Sequence, residues 1–166
     1  MLKYNTRLLY LKRHIFKQLD TEMFKIDSFL SRRSLFLDIG ANRGLYTYHF
    51  ASKFKRVIAF EPVEECCKSI RSLNLRNVEV YPIALSDKNG TATLFSPTNR
   101  GGVDTQRSSL IESSVRDSDV VKRQIQTRVL DELCCSEVDL IKIDTEGSEL
   151  RVLSGATKTI ENNRPL

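Results

Sequence analysis

The feature that most constrains the fold is the stretch 35–44, in which an apolar run ends in an acid and a glycine-containing turn. The run is apolar on both faces of a strand, as in a parallel sheet covered by helices on each side. A helical segment, 45–51, follows, and a strand, a turn and a helix N-terminus together present backbone N–H groups to a ligand. Gly40 can adopt a positive φ and admit a ligand, and Gly44 lets the helix pack closely on the strand. Taken alone, the stretch is equally compatible with a plain connecting turn.

A second apolar run, 56–60, ends in Glu61 and Pro62. Glu61 follows Gly40 by about 20 residues, the separation at which a carboxylate closing the second strand can hold the hydroxyls of a nucleoside ribose. The glycine spacing is Gly-x-x-x-Gly, whereas nicotinamide-binding proteins carry Gly-x-Gly-x-x-Gly. The pattern therefore favours an adenosyl ligand without a pyrophosphate.

Strands and helices continue to alternate along the chain. A helix is predicted over 63–75, a third strand over 78–85 and a fourth over 138–144, and Pro82 indicates a sheet edge or a strand end. This order predicts a parallel, doubly wound sheet with right-handed crossovers. Ligands of such sheets bind beyond the carboxyl ends of the strands. The residues that fall there are Asp38, Glu61, Ala84 and Asp144.

Four motifs follow one another between about Leu35 and Pro165. They are Asp38-Ile39-Gly40-Ala41-Asn42-x-Gly44, Ala59-Phe60-Glu61-Pro62, Ala84-Leu85-Ser86-Asp87 with Gly90, and Ile141-Lys142-Ile143-Asp144-x-Glu146-Gly147-x-Glu149. In this order they resemble the FkbM family of S-adenosylmethionine-dependent methyltransferases. The resemblance implies a Rossmann-like methyltransferase fold, S-adenosylmethionine as cofactor, and methylation of a hydroxyl oxygen, often on a sugar or natural product. The cofactor-binding residues that it implies are Asp38, Gly40, Asn42, Gly44, Glu61, Ala84 and Asp144.

Methyl transfer to a hydroxyl requires an aligned nucleophile and a group that accepts its proton. Asp144 is our first candidate for this catalytic group and Glu146 the second, since His49 falls in the middle of a helix. Glu146 and Glu149 are equally explained by the preference of acids for the first turn of a helix, here predicted over 148–160. We expect no metal site, because hard cations take several oxygen ligands and only two or three acids cluster here.

The net charge of +5 comes entirely from residues 1–33, which hold eight Lys or Arg and three acids. We expect 1–33 to be a basic helical arm, with a helix over 23–30, and 34–166 to be the S-adenosylmethionine-binding domain. The arm either packs over the sheet edge or the cleft, or attracts an anionic substrate or the surface of a membrane. The neutral domain lacks the basic stripe of nucleic-acid-binding proteins, and no apolar run is long enough to span a membrane.

The four cysteines form two adjacent pairs, Cys66-Cys67 and Cys134-Cys135. This spacing fits neither a Cys-x-x-Cys metal site nor a usual disulfide framework. Neighbouring side chains point apart, so one of each pair should face the core. We expect reduced thiols and a cytoplasmic location. The polar segment 97–122 is longer than a plain connection, and is either a substrate-covering loop or disordered.

The chain departs from the family at its end, because Leu166 falls where a fifth strand would begin in the family's order 3-2-1-4-5-7-6. An apolar fourth strand at a sheet edge is a liability. We therefore predict a C-terminally truncated form, or an edge covered by another chain or by the arm. The leading hypothesis is a methyltransferase acting on a hydroxyl of a sugar, glycan or small natural product. The alternative is a non-catalytic or remnant methyltransferase-fold binding module, with a nicotinamide-dependent enzyme third.

Overall fold

The structure, a computed structural model, describes residues 21–99, 102–103, 108–110, 120–133 and 135–166. The strands are β1 (Leu35–Ile39), β2 (Arg56–Phe60), β3 (Val78–Tyr81), β4 (Ala84–Leu85), β5 (Gly90–Asn99), β6 (Gly102–Val103), β7 (Val120–Arg128) and β8 (Val138–Ile143). The helices are α1 (Thr21–Phe29), α2 (Leu45–Ala51), α3 (Glu64–Arg71), α4 (Glu149–Ser154) and α5 (Thr157–Asn163), with a 3-10 helix over Leu130–Leu133.

A four-stranded parallel sheet of order β3-β2-β1-β8 forms the centre of the molecule. All five residues of β1 are buried, as expected for a strand with helices on both faces. Its alternate residues enter two different clusters. Leu35, Leu37 and Ile39 pack with Val152 of α4, whereas Phe36 packs with Met23 of α1 on the opposite face. The α/β class and the parallel central sheet predicted from the sequence are confirmed.

A second four-stranded sheet, of order β4-β7-β5-β6, lies beyond the first. β5 and β7 pair antiparallel from Gly90↔Thr127 to Pro97↔Val120, and β4 pairs parallel with β7. The continuous strand predicted over 78–85 is therefore wrong. It is two strands in different sheets, divided around Pro82, which has no backbone N–H to donate to a ladder.

The helix predicted over 148–160 is two helices, α4 and α5, separated at Gly155. A Cβ atom at Gly155 would lie 2.1 Å from the carbonyl oxygen of Ser86, so this glycine permits the chain after β4 to approach closely. The helix predicted over 63–75 is also shorter, and ends at Arg71.

Cys66 and Cys67 are both buried, which corrects the expectation that only one of the pair faces the core. α3 has neighbours on two sides. Cys66 packs with Leu94 and Ile125 of the second sheet, and the Cys67 thiol donates a hydrogen bond to the Glu61 carbonyl oxygen. Cys135 is half-buried, and Cys134 lies outside the described residues.

The N-terminal segment is described only from residue 21, so most of the predicted basic arm lies outside the described residues. α1 confirms a helix close to the predicted 23–30. Two of its residues hold the helix against the domain. Met23 is fully buried, and Asp27 forms ion pairs with Arg33 and Lys53. Across the described residues, no helix is long and apolar enough to cross a membrane.

The outer edge of β8 is partly paired by the last residue of the chain. The Leu166 N–H donates to the Asp139 carbonyl oxygen, and the Ile141 N–H donates to the Leu166 carbonyl oxygen, both at 3.0 Å. These bonds satisfy backbone groups that an exposed edge would leave without partners.

Candidate functional site

A cleft opens at the carboxyl ends of β1, β2 and β8, between the central sheet and the second sheet. It contains about 640 Å³ of empty space, part of it open to solvent. Six of the residues predicted for the site line this cleft: Gly40, Asn42, Glu61, Ala84, Asp144 and Glu146. Asp38 and Gly44 are not among its lining residues.

Glu61 is the buried carboxylate of the cleft, with 6% of its surface exposed. The Val63 N–H donates to Oε1 at 2.9 Å, and the Asn42 N–H donates to Oε2 at 2.8 Å. Burial raises the pKa of Glu61 to about 7, against the opposing effect of these two hydrogen bonds. Each carboxylate oxygen retains acceptor capacity, so the group can receive hydrogen bonds from the vicinal hydroxyls of a ribose.

The turn after β1 is shaped by close backbone contacts. Gly40 has φ 72°, and a Cβ atom there would lie 2.0 Å from the Asp144 carbonyl oxygen, so only glycine lets the ends of β1 and β8 meet. The Gly40 and Ala41 N–H groups donate to the Phe60 carbonyl oxygen at 3.0 and 3.1 Å. These contacts hold the turn beside the residues that follow β2 and β8.

Gly44 serves a different contact from the one expected. A Cβ atom at this residue would lie 2.7 Å from Ile70, so the glycine lets the start of α2 approach α3 rather than the strand. Gly44 therefore affects the turn through the packing of α2 on α3 and is not among the residues that line the cleft.

Asp38 supports the site from within the core. It is fully buried, and its Oδ2 accepts hydrogen bonds from the Thr47 N–H at 2.9 Å and the Thr47 hydroxyl at 2.6 Å. These bonds fix the first turn of α2 against β1. Asp38 was expected to bind the cofactor, but its side chain is buried in the core and is not among the residues that line the cleft.

Lys142 is a site residue that the sequence reasoning missed. Its Nζ donates to the Gly40 carbonyl oxygen at 2.7 Å, and lies 3.4 Å from Asp38 Oδ1 and 3.6 Å from Asp144 Oδ2. The Lys142 ammonium group thus contacts the buried Asp38, the turn after β1 and the exposed Asp144. The sequence did contain a signal for this residue. Lys142 lies two residues before Asp144, and because alternate residues of a strand share a face, its side chain could be expected on the same face as that of Asp144.

Asp144 and Glu146 lie at the mouth of the cleft. The Asp144 side chain is 64% exposed, and the Glu146 backbone has φ 51°. The Ser109 hydroxyl donates to the Glu146 carbonyl oxygen at 2.7 Å and ties this turn to the second sheet. The Asp144 carboxylate is therefore accessible from solvent at the cleft.

Of Glu146 and Glu149, the two acids that the sequence placed in the first turn of a helix, Glu149 is the first residue of α4. Its Oε1 accepts hydrogen bonds from the Thr145 N–H at 2.9 Å and the Gly147 N–H at 3.1 Å. The carboxylate therefore satisfies backbone donors within the turn that precedes α4.

Most of the predicted covering loop 97–122 lies outside the described residues, and its two ends are strand rather than loop. β5 extends to Asn99 and β7 begins at Val120, since the two strands pair up to Pro97↔Val120. Ser109 pairs with the backbone of Phe95, and its neighbours Ser108 and Leu110 line the cleft. This short segment is the described part that closes one side of the site.

His49 lies away from the cleft. It is buried, and its Nε2 lies 2.8 Å from Lys53 Nζ on the α1 side of the sheet. No group of three or more His, Cys, Asp or Glu side chains that could hold a metal ion occurs within the described ranges.

Comparison with known proteins places this architecture in a family. Residues 38–166 match the model described as the methyltransferase FkbM domain. The crystal structure of methyltransferase FkbM from Methylobacillus flagellatus KT superposes with a TM-score of 0.56 at 19% identity, covering 80% of this chain and 31% of that one. This chain thus spans about a third of that protein's length.

A second solved structure, described as the DhpI-SAM-HEP complex, matches with a TM-score of 0.31 at 20% identity, over 46% of this chain and 40% of that one. No curated protein matches the chain. The family match covers all four sequence motifs and most of the chain, and the chain belongs to the FkbM methyltransferase family.

Proposed function

We propose that the cleft binds S-adenosylmethionine and that the protein transfers its methyl group to a hydroxyl oxygen of a sugar, a glycan or a small natural product. The observation that carries this proposal is Glu61, a buried carboxylate at the end of β2 that lines the cleft. Its position matches that of the acid that holds a ribose in Rossmann-like folds. Family membership supports methyl transfer.

The residues of the cleft fit an adenosyl ligand. Its walls include the apolar side chains of Ile39, Phe60 and Leu85, which suit a flat ring, and the Glu61 carboxylate lies among them. The turn of Gly40 and Asn42 borders the same space. The apolar walls together with a few fixed polar groups are typical of small-molecule sites.

Asp144 is the proposed proton acceptor. S-adenosylmethionine supplies an electrophilic methyl carbon when bound, so the protein has to align the acceptor hydroxyl and remove its proton. The exposed Asp144 carboxylate can receive that proton, and Lys142 restrains it from 3.6 Å. Glu146, two residues after Asp144, is the second candidate for the proton acceptor.

Turnover tests this proposal. The protein is incubated with S-adenosylmethionine and a panel of sugars, polyols and hydroxylated natural products, and S-adenosylhomocysteine and the methylated product are measured by mass spectrometry. Asp144→Asn should lower kcat by about 100-fold or more while leaving S-adenosylhomocysteine affinity nearly unchanged. Asp87→Asn is the matched control, because Asp87 is exposed and is not among the residues that line the cleft.

Binding of both adenosyl ligands without turnover of any acceptor would favour the alternative, a binding module with a methyltransferase fold. An undiminished kcat in Asp144→Asn would instead remove Asp144 from the proposed role.

A cytoplasmic location is part of the same proposal. Cys66, Cys67 and Cys135 carry thiols that are not joined in disulfides. Burial raises the pKa of the Cys67 thiol to about 12, so this group is unreactive as a nucleophile. Such thiols are usual in a reducing compartment.

A further inference from the structure

Ser148 carries a buried hydroxyl for which the described residues provide no hydrogen-bond partner. The residue is 2% exposed, and within the described part of the chain its Oγ neither donates nor accepts a hydrogen bond. Serine immediately before a helix normally accepts a hydrogen bond from a backbone N–H of the first turn. Ser148 precedes α4 but makes no such bond. A buried polar group left in this condition is rare and unfavourable.

The turn that contains Ser148 does not depend on this hydroxyl. The Thr145 and Gly147 N–H groups donate to Glu149 Oε1, and the Arg151 N–H in the first turn of α4 donates to the Ser148 carbonyl oxygen. The Ser148 side chain is therefore available for a role other than capping.

Ser148 belongs to the wall of the cleft. Val152, one helical turn further along α4, packs in the same apolar cluster as Ile39, Phe60 and Leu85. Those three residues line the same cleft as Ser148, so the cleft that holds this hydroxyl has an apolar wall. The exposed carboxylate of Asp144 lies at the mouth instead.

We propose that the Ser148 hydroxyl forms a hydrogen bond with the nucleobase edge of the adenosyl ligand. An adenine ring has flat apolar faces and a polar edge, which matches an apolar wall with one hydrogen-bonding group. A serine hydroxyl accepts as well as donates, so it can accept a hydrogen bond from the exocyclic amino group of the base. This inference rests on the proposed function, since it assigns one contact within the same site.

The first test is Ser148→Ala, which shortens a side chain and adds no atoms to the core. The variant without ligand should melt at the same temperature as the wild type or higher, because a buried hydroxyl without a partner is removed. Its affinity for S-adenosylhomocysteine, measured by calorimetry, should fall by about fivefold to tenfold. Ser154→Ala is the matched control on the same helix, since the Ser154 hydroxyl is exposed and donates to the Leu150 carbonyl oxygen.

The second test replaces the ligand. The homocysteine thioether of purine riboside carries a hydrogen atom where S-adenosylhomocysteine carries the amino group of the base, so a hydrogen bond from that amino group should make wild-type protein discriminate between them. That discrimination should shrink in Ser148→Ala. An equal loss of affinity for both ligands would overturn the assignment to the base.

Three other outcomes would also overturn the inference. Binding of S-adenosylhomocysteine to Ser148→Ala as tight as to the wild type would refute the contact alone. A lower melting temperature without a change in affinity would show that the hydroxyl is a structural group. Failure of folded wild-type protein to bind either ligand would refute the proposed function itself, together with the inference that depends on it.

Discussion

Glu61 is held in a balance between burial, which disfavours its charge, and two backbone N–H groups, which favour it. In the cleft this balance raises its pKa from 4.5 to about 7. Hydroxyl groups that donate to the carboxylate favour the ionised form, so binding of a ribose should lower the pKa and release a proton.

The affinity for S-adenosylhomocysteine should therefore rise with pH by up to about tenfold per unit below pH 7, and level off above it. Calorimetry between about pH 6 and 8, in buffers of different ionisation enthalpy, measures both the affinity and the released proton. Affinity that is constant over this range, or uptake of a proton, would contradict the proposed role of Glu61.

Gly40 is required by backbone geometry. Its φ of 72° disfavours any other residue, and a Cβ atom would overlap the Asp144 carbonyl oxygen. Gly40→Ala should lower the free energy of unfolding by about 2 kcal/mol or more, as measured by urea denaturation. Gly90 also has a positive φ, 150°, but a Cβ atom there would meet only Thr127 Oγ1, at 4.0 Å, so Gly90→Ala should carry backbone strain without an overlap and cost less. Equal losses in the two variants would contradict the close contact at Gly40.

At the scale of elements, Lys142 connects the ends of β1 and β8. Lys142→Met would leave the fully buried Asp38 without its counter-charge, and should lower the free energy of unfolding by about 3 kcal/mol. Arg56→Met is the matched control, because it removes an exposed ion pair with Glu79 that should contribute less than about 1 kcal/mol. Addition of Asp38→Asn should restore part of the stability of Lys142→Met.

Lys142 also has an electrostatic effect on ligand binding, since its charge lowers the pKa of Glu61. The pH at which affinity levels off should therefore be higher in Lys142→Met than in the wild type. An unchanged midpoint would show that Lys142 acts on the fold alone.

The elements that were predictable from the sequence are those whose pattern is local. The apolar run of β1 and its acid-glycine turn identified a buried parallel strand, because burial on both faces leaves a continuous apolar sequence. The partition of 78–85 between two sheets was not predictable in this way, since the pairing of β4 with β7 is decided by residues distant in the chain.

The same distinction applies to the site. Glu61 and Asp144 could be predicted to lie at the cleft because each directly follows an apolar strand. Lys142 and Ser148 were missed because a lysine within a strand and a serine before a helix both have common explanations. They are identified by the contacts of Lys142, and by the Ser148 hydroxyl having no hydrogen-bond partner among the residues that the structure describes.

At the scale of the whole molecule, two sheets meet at one cleft, and the family's four motifs converge on it. The central sheet contributes the turns after β1, β2 and β8, and the second sheet contributes β4, β5 and the segment 108–110. The central claim is that this cleft is an adenosyl site organised by Glu61.

Calorimetric titration of S-adenosylhomocysteine into wild-type, Glu61→Ala and Glu79→Ala proteins tests that claim most directly, with circular dichroism to establish that each is folded. Glu79 is a carboxylate on β3 that is ion-paired with Arg56 and is not among the lining residues of the cleft. We predict tight binding to the wild type and to Glu79→Ala, and a loss of at least about 50-fold in Glu61→Ala. Equal affinity in folded Glu61→Ala, or no binding to the folded wild type, would contradict the account.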